Sequence, residues 1–366
     1  MSIVTQRSSR PVAIWLLIGV AMIIVQILLG GITRLTGSGL SITEWKPILG
    51  IIPPLNNQEW QVAFSKYQQI AQFKHLNFHF TLEDFKFIYF WEWFHRVWGR
   101  LLGIVFAIPF LIFLVQRRFS GDMIRPLIIL FLLGGLQGII GWVMVQSGLN
   151  DEDLYVSHIR LAIHFMAAAV LLVYTYWFAL KLLISKNRRQ VAGGLKKFAI
   201  WIIVLLGIQL TYGAFMAGLK AGVAAPTWPD INGQAMPNIT VYQGKAMGLG
   251  DAIINNPIAI HVVHRGLAYL IAVLIIIWTI GAYKYNRGRL FNAAKWWPLV
   301  LVLLQIFLGV MSVLTSYKAV PQGWGAFEWY AQLHQLVALF LLLALVNVVY
   351  LLRNNKTRYS TVGIAS

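Results

Sequence analysis

Four histidines lie inside apolar stretches at spacings that suit metal ligation in two pairs: His95 in WEWFHRVWGR, His164 in IRLAIHFMAAA, His264 in IHVVHRGLAY and His334 in YAQLHQLVAL. His95 to His164 spans 69 residues and His264 to His334 spans 70, so one unit is written twice. Imidazole in hydrocarbon is costly without a partner, which makes such histidines functional candidates. A lone buried histidine is more often a core side chain bonded to a neighbour. Four at duplicated positions reverse that weighting. Two imidazoles facing each other across a four-helix bundle form a six-coordinate clamp for haem iron. Zinc would ask for four protein ligands, or three and a water. Two histidines per bundle therefore suit haem better.

One carboxylate breaks the duplication. Glu92 sits three residues before His95, on nearly the same helix face, and its counterpart at an offset of 169 is His261. A carboxylate there can take a proton or stabilise positive charge, although an interfacial acid paired with Arg96 would read the same way. The asymmetry predicts two unlike sites, one reactive and one structural or electron-carrying. Arg96 and Arg265 each follow a ligand candidate. Snorkelling explains them, and so do charge-assisted bonds to haem propionates. Arg34 and Arg160 are weaker candidates of the same kind. His75 and His79 are read as solvated, His158 and His261 as neighbours of the sites.

The elements that must hold these residues are membrane spans. The chain is 58% hydrophobic and 11% charged, and eight apolar runs of spanning length are predicted: about 12–33, 87–115, 124–146, 158–184, 198–218, 258–284, 296–316 and 327–352. The net charge of +18 collects at alternate connections, including Arg117, Arg118, Arg125, Lys181, Lys186, Arg188, Arg189, Lys284, Arg287, Arg289, Arg353, Lys356 and Arg358. This positive-inside pattern places both termini in the cytoplasm, gives no reason to expect nucleic acid, and fits a multi-pass protein of the bacterial inner membrane. With no cysteine, thiolate ligation and disulfides are excluded. The short segment ahead of the first span is too brief for a transit peptide.

An offset of 183 maps Gln26, Gly30, Gly39 and Trp45 onto Gln209, Gly213, Gly222 and Trp228. Offsets of 168 to 170 map His95-Arg96, Gln137, Gly141 and His164 onto His264-Arg265, Gln305, Gly309 and His334. The expected fold is an all-α polytopic membrane protein. Its eight helices form two tandem four-helix bundles, 1–190 and 191–366, related by a pseudo-two-fold axis along the membrane normal. The long outer loops are 37–86 and 219–257, the first with helical patches expected on the outer surface. Gly134 and Gly138 in the third span leave room for a planar group or simply for close helix approach.

GGITRLTGSGLSITEWKP, EWFHRVWGR and the AIHF, VHRG and QLHQ contexts together resemble the haem A synthase family across essentially all eight spans. The resemblance implies oxidation of the C8 methyl of haem O to a formyl group. It implies substrate haem at His95 and His164, haem b at His264 and His334, and an essential glutamate at Glu92. Partners so implied are a haem O synthase (protohaem farnesyltransferase) and an electron acceptor, with a homo-oligomer left open. The absence of cysteine places the chain with the cysteine-free branch of the family. Two rivals remain. A dihaem b-type electron carrier would yield only haem b on extraction, and a repeat-built transporter would lack a Soret band.

Overall fold

The computed structural model describes residues 3–46, 49–185, 188–285, 288–319 and 323–352. Among them, eight helices are long and apolar enough to cross a membrane, in agreement with the count expected from hydropathy. They are carried by α1 (Ile3–Leu35), α4 (Leu82–Val115), α5 (Gly121–Gln146), α6 (His158–Leu183), α7 (Gly193–Gly218), α10 (Pro257–Tyr283), α12 (Trp297–Thr315) and α13 (Ala326–Leu351). The loop before α4 adds α2 (Asn57–Tyr67) and α3 (Ala71–His75). The loop before α10 adds α8 (Ala221–Ala224), α9 (Leu249–Asn255) and a small hairpin of β1 (Val241–Tyr242) and β2 (Lys245–Ala246), and α11 (Arg289–Ala294) precedes α12.

Two boundaries depart from the apolar runs for local reasons. Helix α4 begins at Leu82, ahead of the run expected from 87, because Thr81 and Asp84 form a capping box. Their reciprocal bonds satisfy free amides of the first turn, so a polar segment can lengthen the helix beyond the hydrocarbon. The seventh span is preceded by the separate turn α11, after which α12 restarts at Trp297 with a proline in its first turn, where the missing N–H costs nothing. The cations Lys186, Arg287, Arg353, Lys356 and Arg358 lie outside the described residues.

Helix α1 packs on α4 and α6, and α5 packs on α6. Likewise α7 packs on α10, and α12 on α13. The inner helices α6, α7 and α13 also touch one another, α1 touches α6 and α13, and these contacts join the groups. The joint between α1 and α13 is polar. Gln332 Nε2 donates to the Leu28 carbonyl at 3.1 Å and Gln335 Nε2 to the Ile27 carbonyl at 3.1 Å. Gly31 makes the approach feasible, since a Cβ there would collide with the side-chain oxygens of both glutamines. The outer faces of α4 and α5 present Leu101, Ile108, Leu111, Leu132, Leu136 and Ile139 to the surroundings. On a soluble protein such a surface would aggregate; in a bilayer it contacts acyl chains.

The first outer loop does more than lie on the surface. Helix α2 buries Phe64 and Tyr67 in a cluster with Leu40, Phe80, Phe85 and Ile88. The Tyr67 hydroxyl donates to Gln72 Oε1 at 2.9 Å and accepts from Asn77 Nδ2 at 2.7 Å, and burial pushes its pKa up to about 12. The loop is thus a folded cap seated on the start of α4.

Candidate functional site

One cavity of about 1400 Å³ touches all four histidines. Its construction follows a single local rule used four times. A glutamine and a glycine four residues apart share one face of a helix, and a histidine from a neighbouring helix fits between them. The sets are Gln26, Gly30 and His95; Gln137, Gly141 and His164; Gln209, Gly213 and His264; Gln305, Gly309 and His334. Each glutamine Nε2 lies 3.2 to 3.4 Å from a ring nitrogen of its histidine. A Cβ on the four glycines would lie 3.2, 2.9, 3.5 and 2.9 Å from the imidazole Cε1, in that order. In the sequence these glutamines and glycines serve only to align the two halves. The recurring Gln-x-x-x-Gly was the signal that assigns them to the histidines.

The arrangement fits a ligated planar group. His334 Nδ1–H donates to the Gln305 carbonyl at 3.0 Å, so the free lone pair is on Nε2, which faces the Gln305 amide at 3.2 Å and could instead be offered to a metal. The rings of His264 and His334 have centroids 6.3 Å apart. Two imidazoles bonded from opposite sides to one metal at roughly 2 Å each would show about that separation. Gln26 Oε1, Gln209 Oε1, Gln305 Oε1 and His264 Nδ1 are buried without a partner, polar atoms a ligand would engage. For the first pair, the Gln26 amide spans both ring nitrogens of His95 and its backbone carbonyl at 3.2 to 3.3 Å, and Gln137 Nε2 donates to the His164 carbonyl at 2.9 Å.

The glycines give a direct prediction. In Gly141→Leu the side chain must displace His164, an overpacking that should weaken retention of any group ligated there at least about tenfold. Gly207→Leu, whose Cβ meets nothing within 4 Å, is the control. Pigment retained on purification measures both, and equal retention would refute the close fit.

Glu92 is 3% exposed and enclosed by donors. Ser41 Oγ donates to Oε2 at 2.7 Å, the Ile42 N–H to Oε2 at 2.9 Å, and Arg96 Nη2 to Oε1 at 2.5 Å. A carboxylate offers about four lone-pair sites, so these three donors leave it one to spare, and the residue lines the cavity. Arg96 goes on to donate to the Ile42 carbonyl at 3.0 Å and the Glu44 carbonyl at 3.2 Å. The acid and arginine together fasten residues 41–44 over the site.

The equivalent residues in the second half fasten the other loop by opposite chemistry. His261 Nε2–H donates to the Ala221 carbonyl at 2.7 Å. Arg265 donates to the carbonyls of Asp230, Thr227 and Ala225 at 2.8, 2.9 and 3.3 Å. Both arginines line the cavity with their guanidinium groups on loop carbonyls, and Arg265 Nε is buried with no partner. Where the first half has a carboxylate accepting from its loop, the second has an imidazole donating to its loop.

The remaining candidates scatter. His75 and His79 are exposed as expected. His158 Nε2 bonds the Ile254 carbonyl at 3.1 Å, and Arg160 bonds the Val143 carbonyl at 2.9 Å. Arg34 lines the cavity under the electrostatic influence of Glu328.

A profile of the cytochrome oxidase assembly protein family matches residues 13–346. The chain is 36% identical over 347 residues to a haem A synthase of Flavobacterium johnsoniae, covering 94% of this chain and 98% of that protein. It is 40% identical over 356 residues to the haem A synthase of Rhodospirillum centenum, with coverages of 96% and 92%. To that of Maricaulis maris it is 41% identical over 310 residues, covering 85% and 89%.

Proposed function

Because the chain belongs to the cytochrome oxidase assembly protein family, we propose that it is the membrane enzyme that converts haem O to haem A for terminal oxidase assembly. The observation that carries this reading is the gathering of two histidine sets in one cavity, with the buried Glu92 three residues before His95 where the second half has His261 before His264. The relatives' printed name and their coverage of nearly the whole chain support it.

In this reading residues 1–190 and 191–366 are two units related by a pseudo-two-fold axis, with both termini cytoplasmic. His95 and His164 hold the substrate haem, and His264 and His334 hold a haem b. Bound there, haem b supplies one-electron acceptance and relay to an external acceptor. Conversion of the methyl group to a formyl group with water as the oxygen source releases four electrons and four protons, which sets what the protein must handle. Glu92, its carboxylate held by Ser41, the Ile42 amide and Arg96, would act on the carbon being oxidised either as an electrostatic stabiliser or as a proton acceptor. Arg96 holds that carboxylate in place. The loop over residues 41–44 limits access of bulk water from above. Arg265 has its unpartnered Nε–H left for a propionate.

Co-expression with a haem O-forming protohaem farnesyltransferase, in a host that makes no haem A, tests the activity. Haem A should appear in the membranes. Accumulation of haem O alone, with this protein present and pigmented, would contradict the assignment and favour the dihaem carrier.

A further inference from the structure

The two histidine sites share their local construction but not their depth. Away from the loop end, the cavity reaches Trp15 on α1, Phe106 on α4, Leu130 on α5 and Thr175 on α6. Phe106 and Thr175 are each 11 residues beyond His95 and His164, roughly 16 Å along a helix. In the second half the lining stops at Leu206, Ile271, Val302 and Leu341. Ile271 and Leu341 are only 7 residues beyond their histidines, roughly 10 Å.

The repeat register explains the difference residue by residue. Gly19, Gly134 and Gly138 of the first half correspond, at the offsets of 183 and 168 that align the glutamines, to Ile202, Val302 and Ile306. Thr175 corresponds to Leu345, and Gly103 to Ala272. Ile202, Val302 and Leu345 are buried in one continuous core with Ile271 and Ile275, and Ile306 packs against it. In the first half the same volume is open. A Cβ on Gly103, Gly134 or Gly138 would meet nothing within 4 Å. The floor is aromatic, with Trp15 and Phe106 at a centroid distance of 5.0 Å.

We infer that this extension is the seat of the long apolar tail of the substrate haem, and that its absence from the second half reserves that site for a tail-less haem. The occupant follows from shape and position. The pocket is largely apolar, continuous with the space between His95 and His164, and extends along the helices away from the loop end. Haem O differs from haem b by its farnesyl chain. A prenyl chain gains little by leaving acyl chains for protein, since both are equally apolar. The pocket therefore acts by admission, and the filled second half acts by exclusion, a device that sorts two near-identical ligands. The inference rests on the reading of the first half as the substrate site.

The double variant Gly134→Val/Gly138→Ile copies the second-half residues into the first. Glycine is a poor helix former, so the helix itself should not be weakened, and the spectrum of haem b at the second site reports folding. Protein purified with that haem in place is titrated in detergent with haem O and, separately, with haem b. The variant should bind haem O at least about tenfold more weakly at the first site, with haem b binding there unchanged within about twofold. Gly103→Leu, on the opposite wall, should do the same. Haem O binding as in the unaltered protein, or equal loss of both haems, would overturn the proposal. His164→Ala in the same titration separates the two readings. If it still binds haem O normally, the substrate site itself is misassigned. If it loses haem O while the double variant does not, only the tail pocket fails.

Discussion

Replacing His95 or His164 with alanine is expected to strip the substrate haem from the purified protein while the low-spin bands of the haem at His264 and His334 persist. Each imidazole is a strand of a tight local fit. His164 lies against Gly141, where a Cβ would be 2.9 Å from its ring, and the Gln137 amide is 3.2 Å from Nδ1. Nothing else in that set can reach a metal in its place, since the glutamine is a weak ligand and the glycine offers none. Removing a second partner of a metal ligand commonly costs 10- to 100-fold in affinity, so loss of the ligand itself should cost at least about 100-fold. The variant opens a hole of imidazole size, and added imidazole should restore part of the binding, a rescue that a general folding defect would not show. Retention of haem O by both variants without imidazole would place the substrate elsewhere.

The second large effect is expected at Glu92. In Glu92→Gln the carboxamide cannot accept from Ser41, the Ile42 amide and Arg96 without turning an N–H toward one of those donors. It also leaves the mostly buried Arg96 without its counter-charge, and breaking a buried ion pair costs roughly 3–5 kcal/mol. Haem should remain bound, because neither histidine set uses this carboxylate. Haem A output should fall about 100- to 1000-fold, the scale associated with removing one preorganised electrostatic group, with haem O or a hydroxylated intermediate accumulating. Ser41→Ala separates charge from loop fastening. It removes one hydrogen bond, worth about 1 kcal/mol, and should slow output no more than about tenfold. Unimpaired haem A formation by Glu92→Gln would remove this residue from the reaction.

Much of the architecture was legible because it depends on short-range patterns. Apolar runs set the spans, alternating cations set the expected topology, and constant offsets linked His95 to His264 and His164 to His334. Features created by packing between distant segments were not legible. The enclosure of Glu92 is made by Ser41 and Ile42, some 50 residues earlier. Arg96 and Arg265 admitted snorkelling or propionate contacts as readings in the chain, and in the fold their guanidinium groups rest on loop carbonyls. The glutamine of each set stands 27 to 69 residues from its histidine, so its role emerges only when α1, α5, α7 and α12 are laid against their partners. The depth difference between the halves was written in the chain as glycine against isoleucine or valine at matched positions, but had no meaning until the cavity was seen.

Two chemically different haems in two histidine pairs built alike would leave a distinct pigment composition. Acid–acetone extraction of pigment from the purified protein, followed by chromatography and mass spectrometry, tests it most directly. The expected extract holds haem b together with haem O or haem A, with His95→Ala losing only the latter and His264→Ala losing haem b. Recovery of haem b alone from protein made in cells that supply haem O would contradict it.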